Sequence, residues 1–196
     1  MAKTDGFLES FLSKKRANTV NGLIPISHRS GKILDIGCGK YPFFLLNTDF
    51  AEKYANERIA TQEINQLNKQ KIYIKNYDIE KETTIPYDDN YFDVLTMLAV
   101  FEHITTNKLV QVLSEIYRIL KPGGKYIITT PAPFADVILT IMAKLKLINS
   151  DLFAEHQDVY THRKVASLLH SAGFQEGKMR FGSFEIFMNL WIVATK

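Results

Sequence analysis

A short apolar strand runs directly into a Gly-x-Gly turn near residue 35, and this junction constrains the fold more than any other part of the sequence. The segment reads Ile33-Leu-Asp-Ile-Gly-Cys-Gly39. Glycine has no Cβ, so the backbone of such a turn can approach a ligand closely. A plain tight turn after a strand is the alternative, and a Gly-x-Gly sequence alone does not decide between the two.

The residues after the turn disfavour a dinucleotide as the ligand. A dinucleotide-binding fingerprint reads Gly-x-Gly-x-x-Gly, and its third glycine lets the following helix pack closely on the strand. Here Pro42 stands at that third position, preceded by Lys40 and Tyr41. Asp35, just before the turn, also suits a cationic or amino-bearing ligand better than a pyrophosphate. NAD binding is therefore not expected.

Strand and helix patterns alternate along the chain, which is typical of an α/β protein with a mostly parallel sheet. In such sheets ligands bind at the carboxyl ends of the strands. The apolar periodicity predicts helices over residues 7–20, 107–120 and 161–172. The predicted strands cover residues 32–36, 58–63, 71–78, 92–97, 125–130, 178–181 and 187–194.

The 196 residues are expected to form a single domain, 1–196, because one domain usually takes roughly 100–200 residues. It begins with a helical segment, residues 1–30, and contains a substrate-side insertion or lid, residues 131–161. The apolar stretch 137–148 within this insertion is shorter than the roughly 20 residues that span a bilayer. It could pack on the core or a second copy, cover an apolar substrate, or make a peripheral membrane contact.

Charge and cysteine content exclude several classes of function. The net charge is +3, and the only basic triplet is Lys14-Lys15-Arg16, so no nucleic-acid partner is expected. A single cysteine, Cys38, excludes an intramolecular disulfide and a cysteine-based zinc site, and no metal is predicted. The N-terminus lacks the apolar run of a signal peptide, so a cytoplasmic location is expected. The protein is expected to be a monomer or a homodimer.

Five segments, in order along the chain, resemble class I S-adenosylmethionine-dependent methyltransferases of the small-molecule type. They are Asp35-Ile-Gly-Cys-Gly39, Ile85-Pro-Tyr-Asp-Asp-Asn-Tyr-Phe-Asp-Val94, Ala99-Val-Phe-Glu-His-Ile104, Ile116-Tyr-Arg-Ile-Leu-Lys-Pro-Gly-Gly-Lys-Tyr126 and Leu168-Leu-His-Ser-Ala-Gly-Phe174. The resemblance implies a Rossmann-like, doubly wound sheet of seven mostly parallel strands, with helices on both faces and the last strand antiparallel. It also implies S-adenosylmethionine as the cofactor and S-adenosylhomocysteine as the product.

The resemblance also implies roles for residues at the strand ends. Asp35 and the backbone of Gly37, Cys38 and Gly39 would face the methionine end of the cofactor. The family often has a third glycine where this chain has Tyr41, so the contacts of this loop are open. Cys38 is interpreted as a packed small residue, because methyl transfer needs no covalent enzyme intermediate.

The other implied cofactor contacts follow the second, third and fourth strands. Glu63 would bind the ribose hydroxyls, and Asp78 would accept from the adenine amino group, with Ile79 flanking the ring. Leu98 and Ala99 would lie under the cofactor. A solvated acid at position 63 and a turn-initiating acid at position 78 are the alternatives.

Two histidines are candidates for a base near the acceptor, because the pKa of histidine lies near neutral pH. His103 follows the fourth strand, and His156 falls in the insertion. The predicted reaction moves a methyl group to an oxygen or nitrogen of a small metabolite, sugar or lipid-linked acceptor. A non-catalytic cofactor-binding subunit and a nicotinamide-dependent oxidoreductase are the alternatives.

Overall fold

A single sheet of seven strands forms the centre of the computed structural model, which describes residues 5–57, 67, 69–135 and 160–196. The strands are β1 (Lys32–Ile36), β2 (Glu52–Asn56), β3 (Ile72–Lys75), β4 (Phe92–Leu98), β5 (Leu120–Pro131), β6 (Met179–Phe184) and β7 (Asn189–Thr195). Their order across the sheet is β3-β2-β1-β4-β5-β7-β6. The first five strands are parallel, and β7 is antiparallel to both β5 and β6. The predicted fold class is therefore confirmed.

Helices cover both faces of the sheet. They are α1 (Asp5–Leu23), α2 (Phe43–Leu46), α3 (Thr106–Ile119) and α4 (His162–Ser171). On one face, Ala17 and Val20 of α1 and Leu45 of α2 pack against buried strand residues such as Ile33 and Val94. The other face carries the larger core, to which α3 and α4 contribute. Within the described ranges, no helix has both the length and the apolar content needed to cross a membrane.

The strand β2 lies earlier in the chain than predicted. It covers Glu52–Asn56, whereas the β-branched and aromatic pattern had favoured residues 58–63. Its sequence, Glu-Lys-Tyr-Ala-Asn, is mostly polar, and only Ala55 and Asn56 are buried. Pairing with β1 on one side and β3 on the other holds this polar segment in the sheet. The predicted position of this strand was wrong, because local composition is weaker than sheet pairing here, and residues 58–63 themselves lie outside the described residues.

The Lys-Pro-Gly-Gly sequence after α3 belongs to β5 rather than to a separate turn. Leu120 already pairs with Phe92, and regular pairing resumes at Lys125 opposite Val94. Residues 121–124 lie between these two pairs and interrupt the regular register, as in a β-bulge. The insertion predicted over 131–161 is described only at its two ends, so the apolar stretch 137–148 lies outside the described residues.

A close contact between β6 and β7 involves the single tryptophan of the chain. Gly182 of β6 lies opposite Trp191 of β7 in the ladder. A Cβ at position 182 would collide with the indole ring. The absence of a side chain at 182 thus lets Trp191 lie against β6 and pack at the edge of the core under α1.

Candidate active site

The Gly-x-Gly turn after β1 is held against the end of β2. The N–H groups of Gly37 and Cys38 both donate to the carbonyl of Asn56, at 2.9 and 3.3 Å. Gly37 and Gly39 have φ angles of +70° and +72°, in the left-handed region that favours glycine. A Cβ at position 37 would lie 2.5 Å from Cγ2 of Val100. Only glycine therefore fits position 37.

The carboxylate that follows β2 is Glu57. Its Oε2 accepts a hydrogen bond of 2.8 Å from the N–H of Gly39, 18 residues earlier in the chain. The sequence analysis had given the acid at the end of β2 as Glu63, which lies outside the described residues. Since β2 ends at Asn56, Glu57 occupies the position that Glu63 was predicted to hold. Correct placement of β2 would have identified it.

Asp35 is a buried carboxyl group near the end of β1. It is 3% exposed, and its Oδ1 accepts a hydrogen bond of 2.6 Å from Oγ1 of Thr96 on β4. Burial raises the pKa of Asp35 to about 7, and the charge of Glu57 adds to this shift, while Thr96 and Arg16 oppose it. A cationic group beside Asp35 would stabilise its ionised form and lower this pKa.

The raised pKa of Asp35 predicts a pH dependence of cofactor binding. A ligand ammonium group placed at Asp35 would bind the ionised carboxylate, whose fraction rises as the pH passes through about 7. The Kd of S-adenosylhomocysteine should therefore fall about tenfold from pH 6 to pH 8. Calorimetric titrations at several pH values measure this directly. A pH-independent Kd would contradict the assignment, and the Asp35→Asn variant should show only a weak residual dependence.

An open cleft lies between α1 and the carboxyl ends of β1 and β4. Its volume is about 410 Å³, including space open to solvent. The lining residues are Ser13, Arg16 and Ala17 from α1; Asp35, Gly37 and Cys38 from β1 and its turn; Tyr41, Phe43 and Phe44; and Leu98. The wall formed by α1 is a feature that the sequence analysis did not assign to the site.

Burial raises the pKa of the Cys38 thiol well above its ordinary value, with the charges of Asp35 and Glu57 adding to the shift. The thiol therefore stays protonated at neutral pH, and a protonated thiol is a weak nucleophile. This supports the interpretation of Cys38 as a packed small residue.

Asp78 and Ile79 lie beyond β3, outside the set of residues that line the cleft. Oδ1 of Asp78 accepts a hydrogen bond of 3.1 Å from the N–H of Glu80, and Lys81 lies 3.4 Å from Oδ2. Ile79 packs on the core of the α3 face. These contacts fit the turn-initiating alternative for Asp78, and the adenine role stays a prediction.

The segment after β4 contains the remaining predicted residues. Leu98 lines the cleft, and Ala99 takes a left-handed φ of +56° while its N–H donates to the carbonyl of Thr129 at 2.9 Å. His103 ends a short 3-10 helix, Phe101–His103, and is partly exposed. The second candidate base, His156, lies outside the described residues.

Comparisons with known proteins point to one family. Residues 34–128 match the sequence model of a methyltransferase domain. The chain is 34% identical over 103 residues to a sterol 4-C-methyltransferase of Caenorhabditis elegans, covering 48% of this chain and 29% of that protein. It is 28% identical over 117 residues to a demethylmenaquinone methyltransferase of Symbiobacterium thermophilum, covering 54% of this chain and 45% of that protein. The chain thus spans less than half the length of these curated relatives.

The fold has solved counterparts as well. A methyltransferase of Thermotoga maritima, described as a possible histamine N-methyltransferase, superposes with a TM-score of 0.72 at 18% identity. The alignment covers 97% of this chain and 91% of that one. The match of residues 34–128 to the methyltransferase domain and the fold together support a class I S-adenosylmethionine-dependent methyltransferase. S-adenosylmethionine is the cofactor of this class.

The described residues fit this cofactor. Its methionine end carries an ammonium group, and Asp35 is a buried carboxyl group whose ionised form lacks a hydrogen-bonded cation among the described residues. No heavy atom lies within 4 Å of the position that a Cβ would take at Gly39, so the turn is open to a ligand there. Glu57 supplies the carboxylate beside that turn.

Proposed function

We propose that the protein transfers the methyl group of S-adenosylmethionine to a small-molecule acceptor. The observation that carries the proposal is the buried Asp35 beside the Gly37 turn, at the wall of an open cleft. Asp35 would hold the ammonium group of the cofactor, the Gly37–Gly39 backbone its methionine end, and Glu57 its ribose hydroxyls. The cofactor supplies an electrophilic methyl group on a sulfonium centre.

The protein would contribute to such a reaction mainly by positioning the cofactor and the acceptor relative to each other. A cleft that fixes both reactants in a near-attack geometry can lower the barrier by about 7–11 kcal/mol. Strands are rigid supports for this purpose, and the side chains proposed to bind the cofactor lie at or just after the ends of β1, β2 and β4.

The acceptor is proposed to be an apolar, lipid-linked molecule with an oxygen or nitrogen nucleophile. Phe134 lies just beyond the carboxyl end of β5 and is 44% exposed. Ile186 and Phe187 lie in the β6–β7 turn and are 89% and 67% exposed. The N–H of Ala132 donates to the carbonyl of Met188 at 2.8 Å, which joins these two segments. The acceptors named for the curated relatives, a sterol and demethylmenaquinone, support the apolar character of the acceptor. The sterol enzyme is named as a 4-C-methyltransferase, so these relatives do not support the oxygen or nitrogen nucleophile.

The experiment combines binding and turnover. S-adenosylmethionine and S-adenosylhomocysteine are titrated into the protein by calorimetry. The protein is then incubated with cofactor carrying a ¹³C-labelled methyl group and a panel of acceptors: demethylated naphthoquinols, hydroxybenzoquinols, sterols, sugars and biogenic amines. Mass spectrometry of each acceptor reports the transfer. Labelled methyl in an apolar acceptor is expected, and transfer to sugars or amines alone would contradict the proposed class.

His103 remains the candidate base for the acceptor. The His103→Ala variant should lower turnover at least tenfold while changing the Kd of S-adenosylhomocysteine less than twofold, since general acid–base catalysis contributes roughly 10²–10⁴ in rate. Turnover at saturating cofactor and calorimetric Kd values separate the two effects. A fully active variant would remove His103 from the mechanism.

A cofactor-binding subunit without turnover is the second candidate function. Its support is Tyr41, which replaces the third glycine of the family and is 68% exposed at the mouth of the cleft. Binding of the cofactor without transfer to any acceptor would favour it.

The sheet order argues against the oxidoreductase alternative, because β7 runs antiparallel between β5 and β6 and the dinucleotide fold has the order 3-2-1-4-5-6.

A further inference from the structure

The turn between β6 and β7 has a strained backbone. Glu185, Ile186 and Phe187 have φ angles of +52°, +54° and +67°, so three consecutive residues other than glycine lie in the left-handed region. That region is disfavoured for residues with a Cβ, and a β-branched residue such as Ile186 is a clear outlier there. Strain of this kind persists where the surrounding structure fixes the backbone, and it is concentrated at functional sites.

Hydrogen bonds within the turn hold this conformation. The N–H of Met188 donates to the carbonyl of Glu185 at 3.0 Å, and the side-chain amide of Asn189 donates to Oε2 of Glu185 at 2.6 Å. Asn189 also pairs with Pro131 at the end of β5, which ties the turn to the parallel part of the sheet. The carboxylate of Glu185 is thus fixed in place through one of its two oxygens.

The second oxygen of this carboxylate, Oε1 of Glu185, is buried and has no hydrogen-bond partner among the described residues. Burial raises the pKa of this carboxyl group, whereas the charges of Arg16 and Lys15 and the hydrogen bond from Asn189 lower it. Arg16 lines the cleft, and the charges of both Asp35 and Glu185 act on it. The β6–β7 turn therefore brings an acid with an unused acceptor atom to the region of the cleft.

A second unused polar group lies on β5, beside the strand that leaves this turn. Thr129 is fully buried, and its hydroxyl has no hydrogen-bond partner within the part of the chain that the structure describes. It pairs with Trp191 of β7 and with Leu98 of β4, which lines the cleft. Because buried polar groups are almost always hydrogen-bonded in folded proteins, unused ones beside a cleft indicate where polar groups of a ligand bind.

We infer that Glu185 binds a hydroxyl or amino group at the polar end of the methyl acceptor, through a hydrogen bond from that group to Oε1. Ile186 and Phe187, which follow directly, pack on the apolar part of the same molecule. The strained backbone presents the acid and the apolar pair side by side. The inference rests on the proposed function, and it narrows the acceptor to an amphiphilic molecule that carries a hydrogen-bond donor.

The test measures the binding of two probes by equilibrium dialysis to protein saturated with S-adenosylhomocysteine. The probes are 2-naphthol and 2-methoxynaphthalene, which share an apolar ring system, and only the first carries an O–H donor. The wild type should bind 2-naphthol about tenfold more tightly, as expected for a hydrogen bond to a charged acceptor. The Glu185→Gln variant should lose most of this preference through weaker binding of 2-naphthol alone.

Two further variants separate ligand binding from a structural effect. Glu176→Gln removes an exposed carboxylate just before β6 and should behave as wild type. Ile186→Asn introduces a side chain that tolerates a left-handed φ at an exposed position, so its Tm should equal or exceed that of wild type. The same variant should weaken the binding of both probes about three- to tenfold, because it removes an apolar contact.

The outcomes distinguish this inference from the proposed function. If S-adenosylhomocysteine does not bind the wild type, the proposed function fails and the inference fails with it. If it binds, but the wild type binds neither probe or binds both equally, the inference is overturned while the cofactor site stands. An unchanged preference in Glu185→Gln, or an equal loss of both probes, would also overturn it. A Tm of Ile186→Asn below wild type would contradict the strain in the turn.

Discussion

Replacing Asp35 with asparagine should weaken the binding of S-adenosylmethionine about 10- to 100-fold, because a charge-assisted hydrogen bond to the ammonium group is lost. The same change should leave the folded protein at least as stable at pH 8. Asp35 is 3% exposed, and burial raises its pKa from 3.8 to about 7. The ionised carboxylate is therefore a cost to folding that the neutral amide does not carry.

The sign of the stability change follows from proton binding. Between the unfolded pKa of 3.8 and the folded pKa of about 7, the folded protein binds more protons at Asp35 than the unfolded chain does. The free energy of unfolding contributed by this group therefore falls as the pH rises through that window, and it stays low above pH 7. The Asp35→Asn variant lacks this contribution, so its advantage over wild type should grow from pH 5 to pH 8.

Thermal unfolding and calorimetry of the same samples test both effects. The control is Asp88→Asn, which removes an exposed carboxylate and should change neither Tm nor Kd. A Tm of Asp35→Asn more than 5 °C below wild type at pH 8 would show that the carboxylate stabilises the fold. Unchanged affinity for the cofactor would remove Asp35 from the site.

The Gly37→Ala variant is expected to lose at least tenfold in cofactor affinity and about 5–10 °C in Tm. A left-handed φ costs alanine roughly 1–2 kcal/mol, and about 1 kcal/mol shifts the Tm of a domain of this size by 2–4 °C. The added Cβ would also lie 2.5 Å from Val100, so the turn that presents Cys38 and Gly39 must move.

Two companion variants separate the causes. Gly37→Ala combined with Val100→Ala removes the collision but keeps the φ of +70°, so it should regain only part of the lost Tm. Gly22→Ala, where no heavy atom lies within 4 Å of the new Cβ, should keep full affinity and a Tm at or above wild type. Equal affinities of Gly37→Ala and wild type would contradict the requirement for glycine at this turn.

The first strand and its turn were predictable because their signals are local. The segment Ile33–Ile36 is apolar except for Asp35, and Gly37 and Gly39 follow it. The helix α3 was equally clear, since Leu109, Val112, Leu113 and Ile116 repeat at helical spacing and are all buried.

The acid after β2 and the arginine of α1 could not be predicted in the same way. Glu57 follows a polar strand that is stabilised by its two neighbours, so its own sequence carries little strand signal. Arg16 reaches the site through the packing of α1 on the sheet, which joins segments distant in sequence. The one available hint was its place next to the apolar pair Ala17 and Val20, at the border of the buried face of the helix.

Trp191, which packs against Gly182, is an intrinsic fluorescence probe of the protein. Trp191 is the single tryptophan, so its fluorescence comes from one position, at the edge of the core beneath α1 and 6.0 Å from the guanidinium of Arg180. Ligand binding that draws α1 toward the sheet should change its emission, and unfolding should shift that emission toward the red. Unfolding, and any ligand-induced movement of α1, should thus be visible in unlabelled protein as one spectroscopic signal.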